Sequence, residues 1–252
     1  LALAFLLLGF AFTPLAIQAQ QTEIYTNEHR LYREAMELFD KEKYAAAQKG
    51  FERYMEASPD RHLEQHINAD YHAALCALYL FHKDAEFRLE QFVLNHPESP
   101  WVRKVYFELA TYNYKKKSYN KAIDWFESVD VRDLSASQTT EFHYKRGHSL
   151  FMKGRVDEAR TDFYAVKDEP GEYQAPATYF YAHIAYESEQ WQNAYDGFKS
   201  LENDENFGPV VPYYLTQILY KQGKYQEMLQ YAPAFIDSSA SDEIKRKPAI
   251  SQ

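Results

Sequence analysis

The chain has 252 residues, 17% of them aromatic, and only 8 Gly and 10 Pro, a composition that predicts helices joined by short turns. Its formal net charge of −9 repels phosphate backbones, so nucleic-acid binding is disfavoured. Cys76 is the single cysteine, which excludes an intramolecular disulfide and a cysteine-based zinc site; its apolar neighbours predict a buried small hydrophobe.

Residues 1–19 have the pattern of a secretory signal peptide. Leu1–Phe12 is almost wholly apolar, Thr13-Pro14 breaks it, and small residues follow as far as Ala19. Because the apolar stretch is too short for a comfortable membrane span, we predict cleavage after Ala19 and a short leader over 20–27. The mature chain is then expected in the periplasm or cell envelope of a bacterium. An uncleaved N-terminal anchor is the alternative.

A repeat of 34 to 38 residues follows. It is counted between the residues expected to open the second helix of successive hairpins: Tyr44, His82, Tyr119, Val156, Trp191 and Tyr225. Three residues after each of the first five stands Ala, and seven after stands Phe or Leu. Small residues let two helices approach closely, and the larger side chain fills the space between hairpins. We therefore predict six repeats within residues 28–240, over 28–61, 66–99, 103–136, 140–173, 175–208 and 209–240.

Segments Gly147–Val166 and Tyr181–Leu201, together with residues 109–122, resemble the tetratricopeptide repeat (TPR) family. The resemblance covers about six hairpins. It implies an all-α fold, a right-handed superhelical solenoid of helix-turn-helix repeats. The sequence departs from the family pattern at several positions. The proline that follows the second helix is kept only as Pro59 and Pro97, and the last hairpin lacks the expected Ala and Phe.

The chain end predicts the start of a further helix over residues 241–252. Ser241 can cap this helix, and Asp242 and Glu243 would lie in its first turn, although Pro248 interrupts it. Repeat arrays usually end in a polar capping repeat. We therefore expect more repeats after residue 252, and an uncapped end that favours self-association. A frayed C-terminus is the alternative.

Aromatic residues recur on one stripe of the predicted first helices, at the i, i+4, i+7 spacing of a helix face. By the family resemblance these helices line a concave groove. The predicted partner-binding residues are Tyr32, Phe39, Phe107, Tyr114, Tyr144, His148, Phe151, Tyr179, His183, Tyr186, Tyr213 and Tyr220. In the second repeat the corresponding positions carry Asp70 and Ala77. Either the rings only pack between neighbouring first helices, or the groove grips an extended peptide or a helix. Tyrosine favours the groove, because its hydroxyl prefers a wet or hydrogen-bonded edge.

No catalytic residue, cofactor or metal site is predicted. His62 and His66 have a spacing that can bind zinc on a helix, but Glu64 does not directly follow the first histidine, as the zinc-protease motif requires. A solvated helix start accounts for this segment. The sequence also has no glycine-rich phosphate loop and no serine nucleophile elbow.

Together these patterns predict a non-catalytic protein–protein interaction scaffold of the bacterial cell envelope. Its partner would be a protein or peptide, with no nucleic-acid partner and no membrane span after signal cleavage. One alternative is a glycan-capturing outer-membrane protein, although such proteins resemble lipoproteins with a cysteine at the mature start. The other is a helical sensing arm of a larger enzyme or sensor, whose active domain would follow residue 252.

Overall fold

A computed structural model describes residues 29–58 and 60–231, and all of the regular structure in these two ranges is helical. The all-α class is thereby confirmed. The predictions for the signal peptide, the leader and the helix start over 241–252 lie outside the described residues.

Helices alternate as first and second members of hairpins along the described chain. They are α1 (29–40), α2 (Tyr44–Ala57), α3 (Glu64–Tyr79), α4 (Ala85–Asn95), α5 (Trp101–Lys115), α6 (Tyr119–Glu127), α7 (Ala136–Met152), α8 (Val156–Val166), α9 (Gln174–Glu187), α10 (Trp191–Ser200), α11 (Val211–Lys221) and α12 (225–231). Short 3-10 helices, Val131–Asp133 and Gly208–Val210, precede α7 and α11. We refer to the six consecutive pairs as hairpins 1 to 6.

Each hairpin turns through one residue with a left-handed backbone. These residues have φ between +56° and +79°, and they are Glu42, Phe81, Lys117, Gly154, Glu189 and Gly223. The N–H of each donates to the carbonyl three residues back, and the next N–H donates to the carbonyl five residues back, with N···O distances of 2.8 to 3.0 Å. The two bonds satisfy the last carbonyls of the first helix. The same turn therefore closes all six hairpins, whatever side chain occupies it.

The predicted repeat positions in the second helices form the core. In the first five hairpins, the repeat alanine and the Phe or Leu that follows it by four residues are fully buried. These residues are Ala47, Phe51, Ala85, Leu89, Ala122, Phe126, Ala159, Phe163, Ala194 and Phe198. The alanines let the first and second helices approach closely, and the larger residues fill the space beside them. In hairpin 6, Met228 is only partly buried, which fits its departure from the repeat pattern.

The chain divides into two compact units, one up to Val105 and the other from Tyr106 onward, so α5 contributes its first turn to one unit and the rest to the other. In the first unit, the core contains Phe51 and Tyr54 around Ala47. In the second unit, one core surrounds Phe126 and Phe142, and a larger one runs through the helices from α6 to α11.

The prediction that His82 opens the second helix of hairpin 2 is wrong, because α4 begins at Ala85. The His82 N–H donates to the Ala77 carbonyl at 3.0 Å, so His82 holds the turn position that Lys43 holds in hairpin 1. The buried alanine follows this position by four residues in hairpin 1, at Ala47, but by three residues in hairpin 2, at Ala85. The sequence spacing hides this shorter turn, because Ala85 still lies three residues beyond an aromatic ring.

The shorter turn also moves the stripe of the first helix by one residue. Counted from the turn, the positions assigned to Asp70 and Ala77 belong to Tyr71 and Leu78, which are both buried. The Asp70 carboxylate instead lies 3.3 Å from Nε2 of His96. Hairpin 2 therefore has large apolar residues at both positions, as the other hairpins do, although Leu78 is not aromatic.

Candidate partner-binding surface

Of the twelve predicted partner-binding residues, five lie at the inner end of the stripe, five lie at the turn end, and the two histidines lie between them. In the second unit, Phe107, Tyr144, His148 and Tyr179 are buried. Five others are partly buried, namely Tyr114, Phe151, His183, Tyr186 and Tyr213, and Tyr220 is 57% exposed. In the first unit, Tyr32 and Phe39 are partly buried. The stripe is therefore filled at its inner end and open toward the turns.

Two inner tyrosines, Tyr144 and Tyr179, are buried because a ring that enters the next first helix stacks on each of them. Tyr144 stacks on Tyr173 with centroids 4.8 Å apart, and Tyr179 stacks on Phe207 at 5.0 Å. Tyr173 directly precedes α9, and Phe207 directly precedes the 3-10 helix before α11. These rings therefore act in packing between hairpins, one of the two roles that the sequence leaves open.

The first unit repeats this arrangement. The ring of Tyr71 stacks on that of Trp101, the first residue of α5, with centroids 4.6 Å apart and an interplanar angle of 16°. The Trp101 indole N–H also donates to the Asn68 side-chain oxygen. The sequence-based assignment of Asp70 to this position concealed the pair.

Two histidines of the stripe lie inside the ring clusters of the second unit. His148 is 4% exposed, and rings of Tyr114, Tyr119, Tyr144 and Phe180 lie 5.2 to 6.2 Å from its ring. Its Nδ1 atom is buried without a hydrogen-bond partner, and burial lowers the pKa of this histidine to about 4. The imidazole is therefore neutral near pH 7 and belongs to the core.

His183 has a polar partner. Its Nδ1 lies 3.3 Å from the Tyr214 hydroxyl, which lies 3.3 Å from the Tyr179 hydroxyl. Burial lowers the pKa of His183 and raises the pKa of both tyrosines. All three groups are thus held in their neutral forms and form a short hydrogen-bonded chain between α9 and α11.

The open part of the stripe carries ring pairs that bridge the two helices of a hairpin. Tyr114 and Tyr119 have centroids 6.2 Å apart, Tyr186 and Trp191 are 5.7 Å apart, and Tyr220 and Tyr225 are 6.0 Å apart, all edge to face. In hairpin 4, Phe151 takes the first of these positions. We use the name aromatic rim for the exposed or part-exposed rings that lie beside the turns of hairpins 3 to 6. They are Tyr114, Tyr119, Phe151, Tyr186, Trp191, Tyr220 and Tyr225.

Most of the aromatic rim is continuous with the buried rings beneath it. Phe151 packs on Phe180 at 5.0 Å and on His183 at 6.0 Å, and Tyr186 packs on Tyr214 at 5.4 Å. Edge-to-face packing of this kind fixes ring orientation. Phe151 and Tyr186 are thus held by neighbouring rings while each remains part-exposed.

The repeat pattern of the sequence did not single out the rings that follow the inner stripe directly in the chain. Phe180 stacks on Phe163 at 4.9 Å, and Tyr214 stacks on Phe198 at 4.0 Å, each joining one hairpin to the one before it. In the first unit, His72 holds the same position, with its ring 5.4 Å from that of Phe51. A signal was present, because each of these residues follows an inner-stripe tyrosine and forms an aromatic doublet with it.

Comparison with solved structures identifies the repeat. A tetratricopeptide repeat protein from Parabacteroides merdae superposes with a TM-score of 0.55 and 12% sequence identity, covering 84% of this chain and 80% of that one. The fold is that of a tetratricopeptide repeat protein. The predicted resemblance and fold class are confirmed at this level, and an identity of 12% shows the fold alone.

Other comparisons add little to this result. Kinesin light chain TPR-like repeats from Podosopora anserina align over 84% of this chain and 94% of theirs, at 10% identity, but a TM-score of 0.34 carries no argument. No protein-family model matches the sequence. No curated protein matches it either.

One buried ion cluster joins α7 to α8 within this TPR fold. The Asp162 carboxylate is 1% exposed and accepts from Nε and Nη2 of Arg146 at 2.8 and 2.6 Å. Nδ1 of His143 lies 2.8 Å from the same carboxylate. A Cβ on Gly147 would lie only 2.9 Å from that of Asp162, so the glycine leaves the space that the aspartate fills. Both carboxylate oxygens of Asp162 are paired, so we interpret this cluster as a structural contact between α7 and α8.

The segment with two histidines does not form a zinc site on one helix. His62 precedes α3, and its backbone N–H donates to the Asp60 carboxylate at 2.9 Å. His66 lies in the first turn of α3, where it is buried beside Tyr54 rather than solvated as expected, and burial lowers its pKa. Within 29–58 and 60–231, no three His, Cys, Asp or Glu residues are grouped so that they could hold a metal ion.

Cys76 is buried, as predicted. Burial raises the pKa of its thiol to about 12, so the reactive thiolate is scarce near neutral pH. Among the helices of the described chain, none is both long enough and apolar enough to cross a membrane.

Proposed function

We propose that the chain is a non-catalytic scaffold that holds a protein partner against the aromatic rim. The observation that carries this proposal is the difference in burial along the stripe. Its inner rings pack in the core, whereas its turn-end rings are part-exposed on successive hairpins. A TPR fold commonly mediates contacts between proteins, which supports a protein partner.

Preorganisation of the rim supports binding. Tyr114, Phe151 and Tyr186 are each held by rings on their own or the neighbouring hairpin, so their side chains lose little conformational freedom when a partner docks. Tyrosine and tryptophan give large contact area for few rotatable bonds and are enriched among residues that dominate binding energy. A partner helix or extended peptide could place one apolar side chain between successive rim rings.

We also propose that this scaffold acts in the bacterial cell envelope. The support is the signal-like pattern of residues 1–19. Detecting the mature N-terminus of the exported chain by mass spectrometry tests this part, with a new terminus after Ala19 as the expected result. A chain that stays in the cytosol at full length would contradict it.

The rim itself is tested with a triple substitution, Tyr114→Ala, Tyr186→Ala and Tyr220→Ala. Cross-linked partners from an envelope extract should be lost or weakened at least about tenfold, because removing ring anchors costs about 1–2 kcal/mol each at a binding surface. The matched control replaces Phe87, Leu94 and Tyr164, which are 60%, 70% and 60% exposed and lie outside the rim.

Both variants must keep their helical circular dichroism and melting temperature for the comparison to count. A partner set that is unchanged by the rim substitutions, or changed equally by the control, would contradict the proposed binding surface. Binding of glycans, rather than proteins, to the purified chain on an array would favour the glycan-capturing alternative instead.

A further inference from the structure

Two adjacent hairpin turns of the second unit carry a concentration of positive charge. Lys115, Lys116 and Lys117 close hairpin 3, and Lys153 and Arg155 close hairpin 4. All five are exposed, in a chain with a formal net charge of −9. We call these five residues the basic turns. The turn of hairpin 5, by contrast, contains Glu189 and no basic residue.

The two basic turns lie next to each other. Tyr119, which begins α6 just after the first basic turn, has its ring 5.7 Å from that of His148 on α7. Arg155, in the second basic turn, donates to the Glu127 carboxylate at the end of α6 at 3.1 Å. The two basic turns therefore border the same helix, α6, and flank the rim residues of hairpins 3 and 4.

Within the described part of the chain, three of these five cations have no acidic partner. Arg155 is engaged by Glu158 and Glu127, and the Lys116 ammonium lies 4.8 Å from the centre of the Tyr112 ring. Lys115, Lys117 and Lys153 make no ion pair with any residue that the structure describes. Lys115 lies in the last turn of α5, where a cation complements the helix dipole, and Lys116 and Lys117 follow it in the turn.

Apolar side chains lie beside the basic turns. Tyr114, Tyr119 and Phe151 are part-exposed rim rings, and Met152, immediately before Lys153, is 51% exposed. A ligand on this site would meet ring edges and a thioether on one side and ammonium groups on the other. The formal net charge of −9 disfavours an acidic ligand at sites that lack such basic groups.

We propose that hairpins 3 and 4 bind an acidic segment of a protein partner, with its carboxylates on the basic turns and an aromatic or aliphatic side chain against Tyr114, Tyr119 and Phe151. The inference rests on the proposed function and adds the chemistry of the partner. Complementary charge raises the association rate and excludes wrong partners, while the rings supply apolar contact.

Binding of labelled synthetic peptides, followed by fluorescence anisotropy, tests the proposal on the purified full chain. The probe repeats Asp-Glu-Phe-Asp-Glu-Leu twice, and a neutral companion has Asn and Gln in place of Asp and Glu. We expect the acidic peptide to bind at least about tenfold more tightly than the neutral one in low salt, and the difference to shrink as salt rises.

A charge-reversed variant carries Lys115→Glu, Lys117→Glu and Lys153→Glu. It should bind the acidic probe at least about tenfold more weakly, since several exposed charge contacts are lost together. The matched control, Lys41→Glu, Lys43→Glu and Lys83→Glu, makes the same change of net charge on exposed turns of the first unit and should retain binding.

The outcomes separate this inference from the proposed function. Equal binding of the acidic and neutral peptides, no binding of either, or loss of binding in the control as much as in the variant would overturn the acidic-partner inference. The rim substitutions could still abolish capture of a partner in those cases. Conversely, charge-dependent peptide binding that ignores the rim substitutions would contradict the proposed function and the apolar half of this inference.

Discussion

The close approach of α10 to α9 makes Gly197 a sensitive test of the hairpin packing. A Cβ placed on Gly197 would lie 2.7 Å from the Cβ of Ala182, a separation that real Cβ atoms essentially never show. Ala182 is fully buried, so neither helix can move aside freely. Gly197→Ala should therefore overpack this contact.

The size of the effect follows from two opposing terms. Overpacking a dense core at this separation costs about 2–3 kcal/mol. Replacing Gly by Ala inside a helix returns about 1 kcal/mol of helix propensity. We expect a net loss of about 1–2 kcal/mol in the free energy of unfolding, which corresponds to a fall of about 2–8 °C in Tm for a domain of this size.

Urea unfolding followed by circular dichroism at 222 nm measures this loss. The control is the exchange of the two residues, Gly197→Ala with Ala182→Gly, which moves the methyl group to the other helix. The double variant should be more stable than the sum of the two single effects by about 1–2 kcal/mol, because the residues are in direct contact. Gly50→Ala, whose added Cβ would lie 2.8 Å from that of Ala35, should act in the same direction. A neutral or stabilising Gly197→Ala, or additivity of the exchange, would refute the packing argument.

Three further predictions concern buried groups. Asp162→Ala should lower the free energy of unfolding, measured in urea, by about 2–3 kcal/mol. This is less than for a wholly buried pair, because the Arg146 side chain is 29% exposed and can rehydrate. An effect below about 1 kcal/mol would contradict the role of the cluster. Cys76, with a pKa raised to about 12, should react with a thiol reagent at pH 8 at least about 100-fold more slowly in the folded chain than in urea, and equal rates would show that it is accessible. His148, with a pKa lowered to about 4, binds fewer protons folded than unfolded, so its contribution to stability should be fully present above about pH 6.5 and be lost as the pH falls toward 4. Urea titrations at pH 7 and pH 5 should show a smaller pH dependence for His148→Phe than for the parent chain, and equal dependence would refute this.

The sequence predicts the repeat well because helix pairing depends on local spacing. An alanine such as Ala159 and a phenylalanine such as Phe163, four residues apart, share one face of a helix, and both are fully buried. The single failure of register, at His82, came from a turn one residue shorter than its neighbours. Spacing alone cannot reveal such a turn, since the buried alanine and the ring before it still fit the count.

The binding surface was less predictable for a different reason. The sequence predicts both Tyr144 and Tyr186 as partner-binding residues, yet Tyr144 is buried and Tyr186 is part-exposed. The difference lies in Tyr173, a residue that enters the following first helix and stacks on Tyr144. Which rings remain free depends on what the next hairpin brings against them.

By itself, the sequence determined that this chain folds as repeated helical hairpins, because the periodic placement of small and large apolar residues is a property of each short segment. Only the tertiary structure decided which aromatic residues fill the core and which form the rim. Burial of a ring is set by contacts between hairpins some 35 residues apart, such as that of Tyr179 with Tyr214. The same contacts place Tyr119, which follows one basic turn, against the helix that ends in the other. Those contacts are long-range, so no single repeat contains the information that fixes them.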